Sequence, residues 1–241
     1  MMKRFYQWPI YLIFLVVSCG CDSETTTRPE LSLAEMYHNA IIDAMEADED
    51  EIESNLVAIT KSNQYLTWND IDADPRVLVV TLTKYPGSYT VGDTDTTWWG
   101  DTWVTVVPEM KDWFDRNAVA QENAELRAKQ LLGLPPDDGS THCAEFWVSP
   151  DDLFRPAPDN EITDRTAGLD FPAATATWYK EWFNANIIYS YFPMRYPWTR
   201  LGYTYDWGNE ESEIGLSEFV VMQNARIVVE SVSTTLTYLN Y

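Results

Sequence analysis

Residues 31–241 predict a single α+β domain, a mainly antiparallel sheet with several flanking helices. Helical and strand-like segments are mixed without the regular strand–helix alternation of a parallel sheet. No Pro/Gly/Ser linker or internal repeat divides the chain, and apolar runs continue to its last residues. The last of these runs reads strand, turn, strand, as an antiparallel hairpin requires. A chain of this length can bury a core without a disulfide framework.

The first element is an amphipathic helix. Ser32 is placed as N-cap, and Leu33, Met36, Tyr37, Ala40, Ile41, Ala44 and Met45 recur at helical spacing. The acidic run from Glu46 to Glu53 then predicts a solvated helix end or a second short helix, because like charges repel along a helix. Short strands are expected over Asn55 to Thr60 and Tyr65 to Trp68. Arg76 to Thr83, β-branched and mostly apolar, predicts a strand central in the sheet. Pro86-Gly87 opens a loop to about Asp101, and Thr102 to Val107 resumes as strand. Pro108 suits a first helical turn ahead of Glu109 to Asn117. A further helix spans Asn123 to Leu132 and stops at Gly133 and Pro135-Pro136.

Thr141 to Val148 predicts another strand, in which Cys143 is read as a buried thiol. A bridge from Cys143 to Cys21 is open at this level. A Pro-rich loop to about Thr175 leads into an aromatic helix from Thr177 to about Ile188. Leu216 to Met222 and Arg226 to Ser233 are strands around a Gln223-Asn224 turn, with Thr235 to Leu239 as an extension of the second.

Ahead of this domain, Lys3 and Arg4 lead into an apolar run from Phe5 to Val17 that ends in Val16-Val17-Ser18-Cys19. Thirteen residues are too few to span a bilayer, which takes roughly 20. A basic start, a short apolar stretch and a small residue before the cut are the parts of a secretory signal. With cysteine at the cut, the segment resembles the lipobox of bacterial lipoproteins. That resemblance implies a signal peptide over residues 1–18 and lipidation of Cys19, preferred over Cys21 because Val16 begins a better lipobox than Ser18. Residues 19–30 read as a flexible acidic tether. Asp22-Ser23-Glu24 resembles the short acidic signal that sends lipoproteins of the Bacteroidota to the cell surface. The implied location is the cell envelope, at the outer membrane and facing outward, with the membrane reached through the Cys19 lipid.

Composition limits the partners. The formal charge is −22, and removing Lys3 and Arg4 with the signal would make it −24. Such a surface repels phosphate backbones and anionic headgroups, so nucleic acid is not an expected partner and the lipid must supply membrane attachment. No cofactor is expected: there is no Gly-rich phosphate loop and no nucleophile elbow. No metal is expected either. Asp70, Asp72 and Asp74 take the first, third and fifth places of a calcium loop, but Pro75 fills the glycine place and Thr81 the bidentate acid place. Asp93, Asp95 and Asp101 bracket Trp98-Trp99-Gly100 and read as turn-capping acids rather than ligands. His38 and His142 are too few for a zinc site.

The suggestive signal is aromatic. The chain has eleven tryptophans and fourteen tyrosines, and Trp98, Trp99, Trp103, Tyr196, Trp198, Tyr203, Tyr205 and Trp207 stand in polar or loop contexts. Rings beside carboxylates are what a sugar-binding cleft uses, since a pyranose face stacks on a ring while acids take its hydroxyls. The densest stretch, Tyr196 to Asn209, makes Trp198, Tyr203, Tyr205 and Trp207 the binding candidates for a glycan or small-molecule ligand; an aromatic-packed loop is the plain alternative.

An enzyme reading takes Asp206 and Glu218 as paired acids with Arg200 as charge partner, as glycoside hydrolysis requires. The run Gly215 to Val221 followed by the strand from Arg226 also resembles the closing strands of ADP-ribosyltransferases. That resemblance implies a catalytic role for Glu218 and has Arg76 stand for the first-motif arginine, although no serine-threonine-serine middle motif is present. A third reading is a structural or interaction protein of the envelope. The wording of Leu131 to Pro136, Asp152 to Pro156, Leu169 to Pro172 and Tyr196 to Asn209 resembles a bacterial protein family to which no activity attaches, and implies only a folded bacterial domain.

Overall fold

A computed structural model describes residues 31–69 and 74–241. The expected signal peptide, the expected lipidation site at Cys19 and the expected tether, together with Cys21, Asp70 and Asp72, lie outside the described residues. Helix α1 (Leu33–Asp43) starts at Ser32, whose hydroxyl and backbone pair reciprocally with Glu35 in a capping box. Its Tyr37, Ala40 and Ile41 are buried. The acidic run forms only one 3-10 turn, Glu49–Glu51.

Asn55 to Thr60 is tied to another loop instead of forming the expected strand. The Leu56 and Ile59 amides donate to the Arg165 and Ile162 carbonyls, and the Val57 amide to Ser217 Oγ. Of the second expected strand, only β1 (Trp68–Asn69) is realised, at the edge of β2 (Arg76–Thr83). The loop after β2 contains a short strand the apolar pattern does not signal, β3 (Thr94–Thr96). β4 (Thr102–Val106), α2 (Glu109–Asn117), α3 (Gln121–Leu131) and β5 (His142–Val148) follow close to expectation.

After the two-residue β6 (Leu153–Phe154), α4 (Thr177–Tyr191) runs three residues beyond its expected end. It stops where Pro193 forces Phe192 into an extended conformation. β7 (Tyr203–Tyr205) pairs with β8 (Ile214–Ser217) in a separate two-stranded sheet. The single strand expected over Leu216 to Met222 is therefore two: β9 (Phe219–Val221) belongs to the main sheet, and Glu218 is the one residue between. β10 (Arg226–Thr234) is the long closing strand. Thr235 to Leu239 does not extend it but turns into α5 (Thr235–Tyr238), because the Thr234 side chain caps the Thr237 amide.

The main sheet runs β3-β10-β5-β2-β4-β9-β6, with β1 also on β2, and its pairings are antiparallel. Both faces of its centre are buried, which is why β2 and β5 are apolar without strict alternation. Val77, Val79, Phe146, Val148, Ile227 and Val229 pack on one face beneath Ile59, Leu66 and Tyr89. Leu78, Val80, Cys143 and Trp147 pack on the other beneath Met110 and Phe114 of α2, Ala124, Ala128 and Leu131 of α3, and Tyr238. Cys143 is a buried thiol, which burial pushes up to about 12. A third cluster joins α1 and α4 through Tyr37, Ile41, Tyr179, Phe183, Trp198 and Trp207.

Candidate binding cleft at Glu218

The cleft arises where two strands separate. β2 keeps its ladder with β5 as far as Thr83, but its register with β4 is only Val79↔Val106 and Val80↔Thr105. The N-terminal half of β4 pairs on its other side with β9, through Thr102↔Val221, Trp103↔Val220 and Val104↔Phe219. Between the end of β2 and the start of β4 lies a wedge of about 370 Å³, lined by residues 80–85 and 102–105. It adjoins a cavity of about 450 Å³ walled by Trp103, the Leu132-Gly133-Leu134 turn, Tyr189 and Ser190 of α4, Tyr196 to Trp198, and Tyr205. Asp101, Trp103, Leu132, Leu134, Tyr196 and Glu218 line both spaces.

The walls are held from several elements. Gly133, at φ +65°, ends α3 and brings its turn against Tyr205, whose backbone O and N would lie 3.4 and 3.5 Å from a Cβ there. Tyr37 of α1 donates from its hydroxyl to the Arg195 carbonyl at 2.6 Å, fixing the opposite rim. Trp103 lies 5.8 Å edge-on to Trp198 and 6.2 Å from Trp182. Tyr189 and Tyr196 stack at 6.2 Å, with the Arg195 guanidinium 4.3 Å from the Tyr189 ring. Asp101 at the mouth accepts from the Gln223 amide at 2.8 Å and from Trp182 Nε1 at 2.7 Å.

Glu218 sits at the junction of the two sheets, its amide donating to the Gly202 carbonyl at 2.9 Å. The residue is half-buried and lines both spaces, but its Oε2 is fully covered and has no hydrogen-bond partner among the described residues. Burial pushes the carboxyl well above the usual glutamate range. A buried acceptor without a donor costs about 1–3 kcal/mol, more when charged, so its persistence in a cleft invites a ligand donor.

The other acids and arginines singled out in the sequence are already engaged. Asp206 is 1% exposed and accepts both Arg127 nitrogens at 2.6 Å. The Gly208 amide donates to the same carboxylate. The Arg127 guanidinium also lies 4.4 Å from the Trp113 ring. Arg200 donates to the Ala44 and Met45 carbonyls, not to an acid. Arg76 is buried at the start of β2, 3.6 Å from Asp74 and donating to the Arg226 carbonyl, and does not line the cleft with Glu218. The structure thus does not assemble the proposed set of Asp206, Glu218 and Arg200, because Arg127 claims Asp206.

The four aromatic candidates divide. Tyr203 is buried and donates from its hydroxyl to the Glu51 carbonyl, and Trp207 is buried with Nε1 on the Leu134 carbonyl. Neither lines the cleft. Trp198 is buried but forms part of the wall, and Tyr205 is half-exposed there with its hydroxyl donating to Asp43. Trp103, Tyr196 and Asp101 complete the site; their types were visible in the sequence, but their convergence depends on where β2 and β4 part. Among the described residues no group of three or more His, Cys, Asp or Glu side chains is placed to hold a metal ion, and no helix is long and apolar enough to cross a membrane. Compared with known proteins, the chain matches no family model, no curated protein and no solved structure.

Proposed function

We propose that the protein binds a small organic ligand, a glycan unit or a molecule of similar size, in the aromatic cleft at Glu218. The observation that carries this reading is a ring-walled cavity of about 450 Å³ lined by Glu218, a carboxyl with an oxygen that has no hydrogen-bond partner among the described residues. Small-ligand sites commonly run to roughly 300–1,000 Å³, mostly apolar with a few placed polar groups. Trp103, Tyr196 and Trp198 supply ring surface, and Glu218 and Asp101 supply acceptors. The test is saturation-transfer NMR against mono- and disaccharides and aromatic fragments. Hits should be lost in Trp103→Ala and kept in Trp98→Ala, whose ring is exposed outside the cleft. Hits indifferent to Trp103→Ala would contradict the assignment.

A carboxylate enzyme is the second reading, favoured by one feature: Asp101, not Asp206, shares the cleft with Glu218. Glu218, kept neutral by burial, would act as general acid, and Asp101, receiving two N–H donors, as the second carboxylate. Turnover of aryl glycosides that vanishes in both Glu218→Gln and Asp101→Asn would support it. No turnover across the panel would leave binding alone.

The site of action we propose is the bacterial envelope, with the chain anchored by lipid on Cys19. The pattern from Lys3 to Cys19 supports this. Metabolic labelling with a fatty-acid probe should mark the protein, and retention of label in Cys19→Ser would contradict the anchor.

A further inference from the structure

We propose that the ligand of this cleft is a protonated organic amine, its ammonium group at the Glu218 carboxyl and its apolar body against Trp103, Tyr196 and Trp198. This rests on the cleft being the ligand site and specifies the chemistry it selects. The first ground is the missing counter-charge. Arg127 is committed to Asp206, Arg200 to two carbonyls on the α1 side, and Arg195 lies over the Tyr189 ring. Lys84, which also lines the wedge, lies 5.6 Å from the Tyr85 ring. Arg155, buried beside Phe219, pairs with Asp164 and donates to the Thr166 carbonyl. None of these cations makes an ion pair or hydrogen bond to Glu218 among the described residues, so a cationic ligand would supply the counter-charge of the ionised carboxylate.

The second ground is the wall. The faces of tryptophan and tyrosine attract cations, by roughly 0.5–2 kcal/mol each depending on desolvation. A charge-assisted N–H···O bond is about twice as strong as a neutral one, so an ammonium satisfies the Glu218 carboxylate better than a hydroxyl does. The third ground is the field: a formal charge of −22 draws cations toward the protein and repels anionic ligands.

Binding is then coupled to a proton. In the empty cleft burial keeps Glu218 protonated above the usual range. When the ammonium docks, the Glu218 proton leaves to solvent and an N–H···O⁻ bond forms in its place. The titratable groups that line the cavity with this carboxyl are Asp101 before β4, Tyr189 of α4, Tyr196, and Tyr205 of β7, while Tyr191 of α4 feels the charges of both Glu218 and Arg200. Across the wedge stand Lys84, Tyr85, Tyr89 and Asp138. Burial raises Tyr89, Tyr191, Tyr196 and Tyr205 above the ordinary tyrosine value, so they hold their protons near neutrality.

Calorimetric titration of the whole chain with 2-phenylethylamine and its neutral isostere 2-phenylethanol tests this. The measurement is made near pH 6 in two buffers of different ionisation enthalpy. The amine should bind at least about tenfold more tightly and with net proton release, and the alcohol should release none. Glu218→Gln should erase both the preference and the proton release, and Trp103→Ala should weaken both ligands. Equal binding of amine and alcohol, or amine binding without proton release, overturns the amine assignment while leaving the cleft as a ligand site. Binding of either compound that survives Trp103→Ala unchanged instead overturns the cleft. The proton count in the wild-type protein is decisive even if a variant fails to fold.

Discussion

Two carboxylates twelve positions apart in sequence, Asp206 buried and Glu218 half-buried, have opposite surroundings. Asp206 sits in a closed lock: two short bonds from Arg127, one from the Gly208 amide, and Trp207 and Tyr203 tied to backbone carbonyls beside it. Glu218 sits at the seam of the two sheets with a covered oxygen and no donor among the described residues. The difference separates architecture from site. A buried charge whose partners are supplied internally holds the fold, whereas one left without a partner in an accessible cleft marks where something from outside completes the structure.

The sharpest way to break this contrast is at the lock. Asp206→Ala strands the Arg127 guanidinium in the interior and should cost about 3–5 kcal/mol, read by urea unfolding. Arg127→Met combined with Asp206→Leu should recover most of that loss, because an apolar pair of similar volume avoids the desolvation. An Asp206→Ala protein of unchanged stability would remove the architectural half of the comparison.

Next in size is a backbone effect at the same seam. A Cβ on Gly215 of β8 would meet the Thr204 hydroxyl and the Thr204 and Leu131 carbonyls, none of them a flexible side-chain end. Gly215→Ala should therefore destabilise by about 1–3 kcal/mol, as overpacking does, and lower the thermal midpoint accordingly.

The most gradual effects are in the pH dependence of stability. A carboxyl whose folded pKa is raised binds its proton more tightly in the native state, so stability is full at low pH and falls as pH rises through that window. Glu218, raised by burial, and Glu109, pushed up to about 7 chiefly by burial despite donors from Ser217 and Thr105, both act in this direction. Each should contribute a loss of about 1.4 kcal/mol per pH unit from roughly pH 4.5 up to its folded pKa. Comparing unfolding curves of the wild type and Glu218→Gln across this range should show the variant with the shallower decline. Equal slopes would mean that the Glu218 carboxyl is solvated.

Much of the sheet was legible because its residues bury both faces: Arg76 to Thr83 and Thr141 to Val148 are apolar enough to allow little besides central strands. Helices with clear end signals, Ser32, Pro108 and Gly133, were equally legible. Where a hydrogen-bond partner far along the chain decides, local pattern failed. Asn55 to Thr60 pairs with a loop at 162–165, and Thr235 to Tyr238 is helical through a side-chain cap despite its strand-like composition. The site shows the same division. Glu218 stands out as an acid between apolar runs, but nearness in sequence points to Asp206 as its partner, and Arg127, 79 positions from Asp206, carries no local mark of its role there. Asp101 and Trp103 reach Glu218 only because β4 hands its pairing from β2 to β9, a change of register that no residue type announces.

The central claim concerns one proton, and carbon-13 NMR of the glutamate side-chain carboxyls can observe it, with Glu218→Gln assigning the resonance. Over a titration from roughly pH 3 to pH 9, the Glu218 signal should move well above the ordinary glutamate midpoint of about 4.3, and addition of 2-phenylethylamine near pH 6 should shift it to the ionised position. A Glu218 signal that titrates with the exposed glutamates and ignores the amine would contradict the account.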